Sequence, residues 1–234
     1  MESGRCLGLI GGLGVGATVH YYEKLVKAHE ERGRRLDIVI AHAETSRVFE
    51  YVQAGERDGL AGYLNGFIRR LEAAGAELAA IPAITPHYCM REFAAVSPLA
   101  VFDIFDPLNQ ELAARGIRRA AVFGTRFAIE SALFGRVDSV EIVHPRPDEV
   151  DHIHSTYVQL AQQGKGSVEQ HKGLTDLALT ICKRDGLDAI ILAGTDLTLL
   201  FNETNTDFPN VDCAALHIRA IADGLLGEPP TATR

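Results

Sequence analysis

Short apolar runs alternate with longer stretches of helical periodicity along the whole chain. Cys6–Ile10 is apolar and ends in Gly11-Gly12, the pattern of a strand reaching a turn. Ala17 to about Glu31 has helical spacing. Ile38–Ala43 is an unbroken apolar run, as expected of a strand buried on both faces. Leu60, Leu64, Phe67, Ile68 and Leu71 share one helix face, and Gly75 stops that helix. Leu78–Ala83 and Ala100–Phe105 read as the third and fourth strands, the latter leading into a helix that ends at Arg115-Gly116. The beat then restarts. Strands are predicted at Ala120–Phe123 and Val140–His144, two helices within Pro147–Arg184, a strand at Ala189–Ala193 and a last helix near Cys213–Leu225. The tail from Gly227 to Arg234 holds Pro229-Pro230 and reads as frayed. Such alternation predicts an α/β fold with parallel sheets and right-handed crossovers.

A faint internal echo accompanies it. Leu9-Ile10-Gly11-Gly12 matches Val122-Phe123-Gly124-Thr125 in pattern, and Ile81–His87 matches Leu192–Thr198 at a nearly equal separation. Any two α/β halves look somewhat alike, so pattern alone leaves two readings open. The sharper one is two similar half-domains facing each other across a cleft, with all four strand-end turns lining it. The expected division is 1–100 plus 210–234 for the first half and 101–209 for the second.

Composition narrows the function classes. The chain has 234 residues, long enough for a sizeable core without disulfide staples. Its four cysteines form no CxxC pair, which excludes a disulfide scaffold and a zinc ribbon and fits a reducing cytoplasm. No apolar run is long enough to span a bilayer, and no secretory leader pattern opens the sequence. A net charge of −8 with no basic run disfavours nucleic-acid and anionic-membrane partners.

Several turns carry candidate chemistry. Gly12-Leu13-Gly14-Val15-Gly16-Ala17 satisfies G-x-G-x-x-A between a strand and a helix. The acidic residue that should hold a ribose is misplaced, because Asp37 precedes the run Ile38–Ala43 and Glu44 comes late. A dinucleotide site is therefore disfavoured. What survives is a flexible turn whose amides suit an anion such as a carboxylate. His42-Ala43-Glu44-Thr45-Ser46-Arg47 follows a strand, and Arg47 suits a bidentate grip on a carboxylate, although a solvated loop reads equally well. Thr85-Pro86-His87 and Gly194-Thr195-Asp196 end corresponding strands. Asp212-Cys213 follows another short apolar run, with His217 one helical turn on. His152 and His154 do not share a helix face, and no other spacing resembles a metal site, so no metal is expected.

Together these segments resemble the cofactor-independent aspartate/glutamate racemase superfamily, nearest its aspartate racemase branch. Gly11-Gly12-Leu13-Gly14 with Ala17-Thr18 and Tyr21-Tyr22 resembles the family opening GGMGPxAT and its aromatic. Ile81–His87 is similar to IPCNTAH, and Gly124-Thr125-Arg126-Phe127 with Glu130-Ser131 to GTRFTMES. Ile191–Leu197 is similar to ILGCTEL, and Val211-Asp212 with His217 to the closing D-T-T-x-x-H element. Gly164-Lys165 resembles a pair whose lysine helps hold the substrate. The resemblance implies two similar Rossmann-like α/β half-domains with the site between them, no cofactor, and a homodimer as the expected assembly.

The departures concern the chemistry. Family racemases place one cysteine on each side of the substrate α-carbon, and those positions fall on Ala83 and Gly194. Neither carries a proton. Asn has become Ile84 and the closing Thr has become Cys213. The expected catalytic groups are Thr85, His87, Thr195, Asp196 and Glu44. The expected substrate-binding groups are Gly11, Gly12, His42, Arg47, Ile84, Lys165 and Cys213. The Ala83/Gly194 pair leads us to expect room for a larger or less polar substrate, and Gly194 is a candidate for a backbone angle that a Cβ resists. The expected function is an enzyme of small carboxylates using non-thiol acid/base chemistry, of isomerase, lyase, decarboxylase or cyclase type. The alternative is a carboxylate-binding or regulatory protein with a retired site.

Overall fold

The computed structural model describes residues 4–137 and 139–227. The chain divides into two compact units, one formed by residues 1–103 and 217–234, the other by 104–216. The called tail beyond Gly227 lies outside the described residues.

In the first unit β1 (Leu7–Gly11) leads to α1 (Val15–Glu30), β2 (Ile38–His42), α2 (Thr45–Ala54) and α3 (Arg57–Ala73). Then come β3 (Leu78–Ala80), a 3-10 turn over Thr85–Cys89, α4 (Met90–Val96) and β4 (Ala100–Phe102). The strands are parallel in the order β2-β1-β3-β4. β1 is central and all five of its residues are buried. Leu60, Leu64, Phe67, Ile68 and Leu71 of α3 and Ala17, Tyr21 and Leu25 of α1 are buried too, each at helical spacing. Each large apolar side chain so buried contributes roughly 1.5–3 kcal/mol.

The second unit runs α5 (Phe105–Ala114), β5 (Arg119–Phe123), α6 (Arg126–Glu130), β6 (Glu141–Ile142), α7 (Pro147–Gln163) and α8 (Val168–Asp185). It continues with β7 (Ala189–Leu192), a 3-10 turn over Thr195–Leu199 and β8 (Asn210–Asp212). Then α9 (Cys213–Leu226) begins here and returns the chain to the first unit at His217. The sheet is again all parallel, in the order β6-β5-β7-β8. With β5 taken as the first strand, this is the topology of the first unit, so the internal echo corresponds to a repeated α/β architecture. Ser167 caps α8 by accepting from Gln170 N at 3.2 Å while the Gln170 side chain returns to Ser167 N at 2.9 Å.

Several local readings are corrected. Ile38–Ala43 is not buried on both faces. β2 is an edge strand, and Ile40 is 43% exposed. A continuous apolar run fits an edge as well as a centre. The third strand stops at Ala80, where Ile81-Pro82 lead the chain into the 3-10 turn. His42–Arg47 is only in part a loop, because Thr45 opens α2, whose Val48 and Val52 are buried one turn apart.

Candidate active site

The polar groups called from the sequence fall mainly at the carboxyl ends of the two sheets. In the first unit the turn after β1 is built around a close backbone approach. Gly12 has φ +87°, and a Cβ there would lie 2.3 Å from the Ala43 carbonyl oxygen and 2.7 Å from the His42 ring. Gly12 N donates to Thr18 Oγ1 at 3.0 Å, and Thr18 Oγ1 donates to Gly14 O at 2.8 Å. The Thr45 hydroxyl donates to Gly12 O at 2.9 Å. The glycine is thus explained by the packing of β1's end against β2's end, and the Gly12 amide is committed to Thr18. A Cβ on Gly11 would meet Thr18 Cγ2 at 2.6 Å.

The 3-10 turn after β3 buries Thr85 and His87, the latter with 1% of its surface exposed. Ala83 and Ile84 are buried beside them. His87 Nδ1–H donates to Ala83 O at 2.9 Å, since a carbonyl can only accept. That turns Nε2 toward Asp103 Oδ1, 3.9 Å away. His217, with no exposed surface, stands edge-on to His87 with ring centroids 6.0 Å apart. Its Nε2–H donates to Phe102 O at 3.1 Å, so its Nδ1 accepts from the Tyr21 hydroxyl at 3.2 Å. That tautomer is neutral. Burial is the main cause that pushes the His217 pKa down to about 3, with His87 adding to it and the Phe102 carbonyl and Asp103 opposing.

Glu44, His42 and Arg47 lie apart from this buried group. All three are exposed. Glu44 N donates to the Tyr63 hydroxyl at 2.9 Å, and Arg47 pairs with Glu50 on its own helix and stacks over Tyr51.

In the second unit the ends of β5 and β7 nearly touch. A Cβ on Gly124 would lie 3.1 Å from Gly194 N, and Ala193 N and Gly194 N both donate to Phe123 O. Thr125 is buried and caps α6 by accepting from Ala128 N. Thr195 and Asp196 are buried, at 2% and 1% exposure. Tyr157 of α7 donates its hydroxyl hydrogen to Asp196 Oδ2 at 2.9 Å and is also hydrogen-bonded to the Thr195 side chain. Burial, then the Asp196 charge, hold the Tyr157 phenol well above its ordinary pKa.

Gly194 itself corrects two expectations. Its backbone is ordinary, φ −82° and ψ 112°, so no special angle requires glycine. Its missing side chain does not leave open room either, because a Cβ would lie 2.3 Å from Tyr157 Cε2. Sequence reasoning passed over Tyr157 and Asp103. Tyr157 adjoins Thr156 on the buried face of α7, and only the small Gly124/Gly194 pair hinted that a large side chain must come from elsewhere. Asp103 was hidden in a run read as strand.

Lys165 is exposed, on a loop whose Gly166 packs against Leu199 and Leu200 at the end of the 3-10 turn. Asp212 caps α9 by accepting from Ala214 N and Ala215 N, and Cys213 beside it is buried.

All four thiols are held in the protonated state. Burial is the first cause at each: it raises Cys6 and Cys182, pushes Cys89 up to about 12 and lifts Cys213 well above its ordinary value. Iodoacetamide at neutral pH is therefore expected to leave Cys89 and Cys213 unmodified in the native protein and to label them after unfolding. Mass spectrometry reads this directly, and rapid native labelling of Cys213 would contradict it. Among the described residues no group of three or more His, Cys, Asp or Glu side chains could hold a metal ion, and no helix is long and apolar enough to cross a membrane.

Two repeated parallel α/β units with buried polar groups at their strand ends define the fold class, and comparison with known proteins makes it specific. Residues 10–221 match the Asp/Glu/hydantoin racemase family, and the chain belongs to that family. A Yersinia pestis protein assigned to the Asp/Glu racemases superposes with a TM-score of 0.81 at 23% identity, covering 95% of this chain and 99% of that one. An aspartate racemase homologue from Pyrococcus horikoshii OT3 gives 0.79 at 22% identity, over 97% and 100%. The aspartate racemase of Picrophilus torridus gives 0.73 at 21%, over 97% and 96%. The fold is shared at 14% identity by maleate isomerase from Pseudomonas putida S16 and by arylmalonate decarboxylase, with TM-scores of 0.56 and 0.51.

Proposed function

We propose that this chain is an enzyme that moves a proton on a small, carboxylate-bearing substrate without using a thiol. The observation that carries the reading is the state of the sulfurs. Ala83 and Gly194 hold the strand-end positions assigned to the family thiols, and every cysteine elsewhere has its pKa pushed up. A thiol so protonated is a poor base and a poor nucleophile.

Oxygen and nitrogen groups take over that role. Asp196 and Tyr157 supply it in the second unit, supported by Thr195, and His87 with Asp103 supplies it in the first, where Thr85 is a hydroxyl donor. Glu44 and His42 are exposed and free of the buried network, so they belong to the outer rim of the reading. Lys165 and Arg47 supply positive charge for carboxylate groups. Arg47 can leave Glu50 at little cost, because water screens an exposed ion pair of this kind. Proton transfer needs no cofactor, so the proposal includes none; it includes a cytoplasmic homodimer, in keeping with the family. Isomerisation, elimination, decarboxylation and ring closure all fit such groups.

The test is hydrogen–deuterium exchange at the carbon next to the carboxylate, followed by NMR in D₂O. The substrates are both enantiomers of aspartate and glutamate, succinate and phenylmalonate. Exchange or turnover of at least one acid is expected, undiminished by prior treatment with iodoacetamide. Loss of the activity on alkylation would return the chemistry to a thiol. Binding of these acids without exchange or turnover would favour the carboxylate-binding alternative.

A further inference from the structure

At the end of β7 the side chain that Gly194 lacks has been replaced in space by one from another helix. A Cβ on Gly194 would lie 2.3 Å from Tyr157 Cε2 and 2.6 Å from Cδ2. Carbon atoms in contact stand about 3.5–4.0 Å apart, so ring and Cβ compete for one volume. The ring brings a hydroxyl with it, hydrogen-bonded to Asp196 Oδ2 and to the Thr195 side chain. Thr195 and Asp196 are almost wholly buried, whereas Tyr157 keeps part of its surface. Of the three, Tyr157 is the one best placed to be touched by a ligand.

We infer that Tyr157 is the proton carrier of the second unit, its ring filling the place of a residue-194 Cβ and its phenolic hydrogen passing to the α-carbon of a carboxylate substrate. The inference rests on the reading above that the substrate is a small carboxylate undergoing proton transfer. The donated proton completes a substrate that has become an enediolate by losing its α-hydrogen or carbon dioxide. The Tyr157 hydroxyl turns its hydrogen from Asp196 to that carbon, whose electron pair forms the new C–H bond; the O–H bond breaks and its electron pair stays on the phenolic oxygen. The Thr195 hydroxyl donates to that oxygen while it is charged. A proton from solvent water then restores the phenol. The Asp196 carboxylate, 2.9 Å away, disfavours a lasting phenolate and so returns Tyr157 to its loaded form. This strand end can give a proton but does not rest as a base, so chemistry here runs with one handedness of protonation.

Thermal unfolding, isotope exchange with a binding control, and a phenolate titration test the inference. The first is thermal unfolding of Gly194→Ala, Tyr157→Ala and the double variant. Gly194→Ala alone is expected to lower the Tm, and adding it to Tyr157→Ala is expected to lower it no further. Two losses that simply add would show that the residues do not share a volume and would overturn the inference. The second is the D₂O exchange described above, with the same acids. Tyr157→Phe keeps the ring and removes the proton, so exchange is expected to fall by at least about 100-fold. Binding of the same acid, read by saturation-transfer NMR, is expected to persist. Asp196→Asn should lower the pH at which Tyr157 ionises, read as phenolate absorbance against the Tyr157→Phe variant, and should move the pH profile of exchange with it, which a merely space-filling ring would not do. Exchange by Tyr157→Phe within about threefold of wild type overturns the proton-carrier role and leaves the carboxylate enzyme standing. No exchange or turnover of any acid by the wild type overturns both.

Discussion

Gly12→Ala is expected to be the most damaging small substitution in the first unit. Its φ of +87° lies where an L residue is strained by roughly 1–2 kcal/mol. Its new Cβ would also sit 2.3 Å from a backbone oxygen, that of Ala43, which cannot rotate away. Overpacking of that kind adds roughly 1–3 kcal/mol. The sum, about 2–5 kcal/mol, corresponds to a Tm lowered by about 4–20 °C for a chain of this size. Gly55→Ala is the control, since Gly55 has φ +71° with nothing within 4 Å of its Cβ. It should show the backbone cost alone. Equal losses in the two variants, measured by thermal unfolding, would show that the approach of Ala43 costs nothing.

Acid should attack the protein through His217. Its pKa is depressed to about 3 in the folded chain against about 6.5 when unfolded. The unfolded chain therefore binds more protons between those values. The stability this neutral histidine contributes is fully present above pH 6.5 and is lost as the pH falls toward 3. At pH 4.5 the loss amounts to about 2–3 kcal/mol from this one group. The groups facing it are His87, the Tyr21 hydroxyl, the Phe102 carbonyl and Asp103. His217→Gln lacks the titration, so its unfolding free energy in urea should change less between pH 7 and 4.5 than that of the wild type. Parallel pH profiles for the two would place the acid sensitivity elsewhere.

The long elements were legible in the sequence because their periodicity repeats. α3 presents five large apolar residues on one face, and the central strands β5 and β7 are short apolar runs bounded by turns. What escaped was whatever depends on partners distant in sequence. Ile38–Ala43 looked doubly buried because an apolar run does not say which strand lies beside it, and β2 turned out to have a neighbour on one side only. α2 escaped because two buried valines are too few to establish a period. The same limit governed the site. Gly194 and Asp196 were visible as a strand-end turn, but the ring that fills the gap lies 39 residues before Asp196, on a helix whose only marked residues were His152 and His154. His87 was visible as a titratable group, while its hydrogen bond to Ala83 and its approach to Asp103 arise from the 3-10 turn and β4.

The discontinuity of the first unit gives the two units different histories during synthesis. Residues 104–216 are contiguous, so the second sheet has all its strands as soon as β8 has left the ribosome. The first unit has its whole sheet much earlier, yet must wait for the last helix. The Tyr21–His217 hydrogen bond and the Arg32–Asp223 pair form only once that helix has been made. The first sheet therefore stays unfinished while the second unit is made, and a helix synthesised after that unit is what closes it.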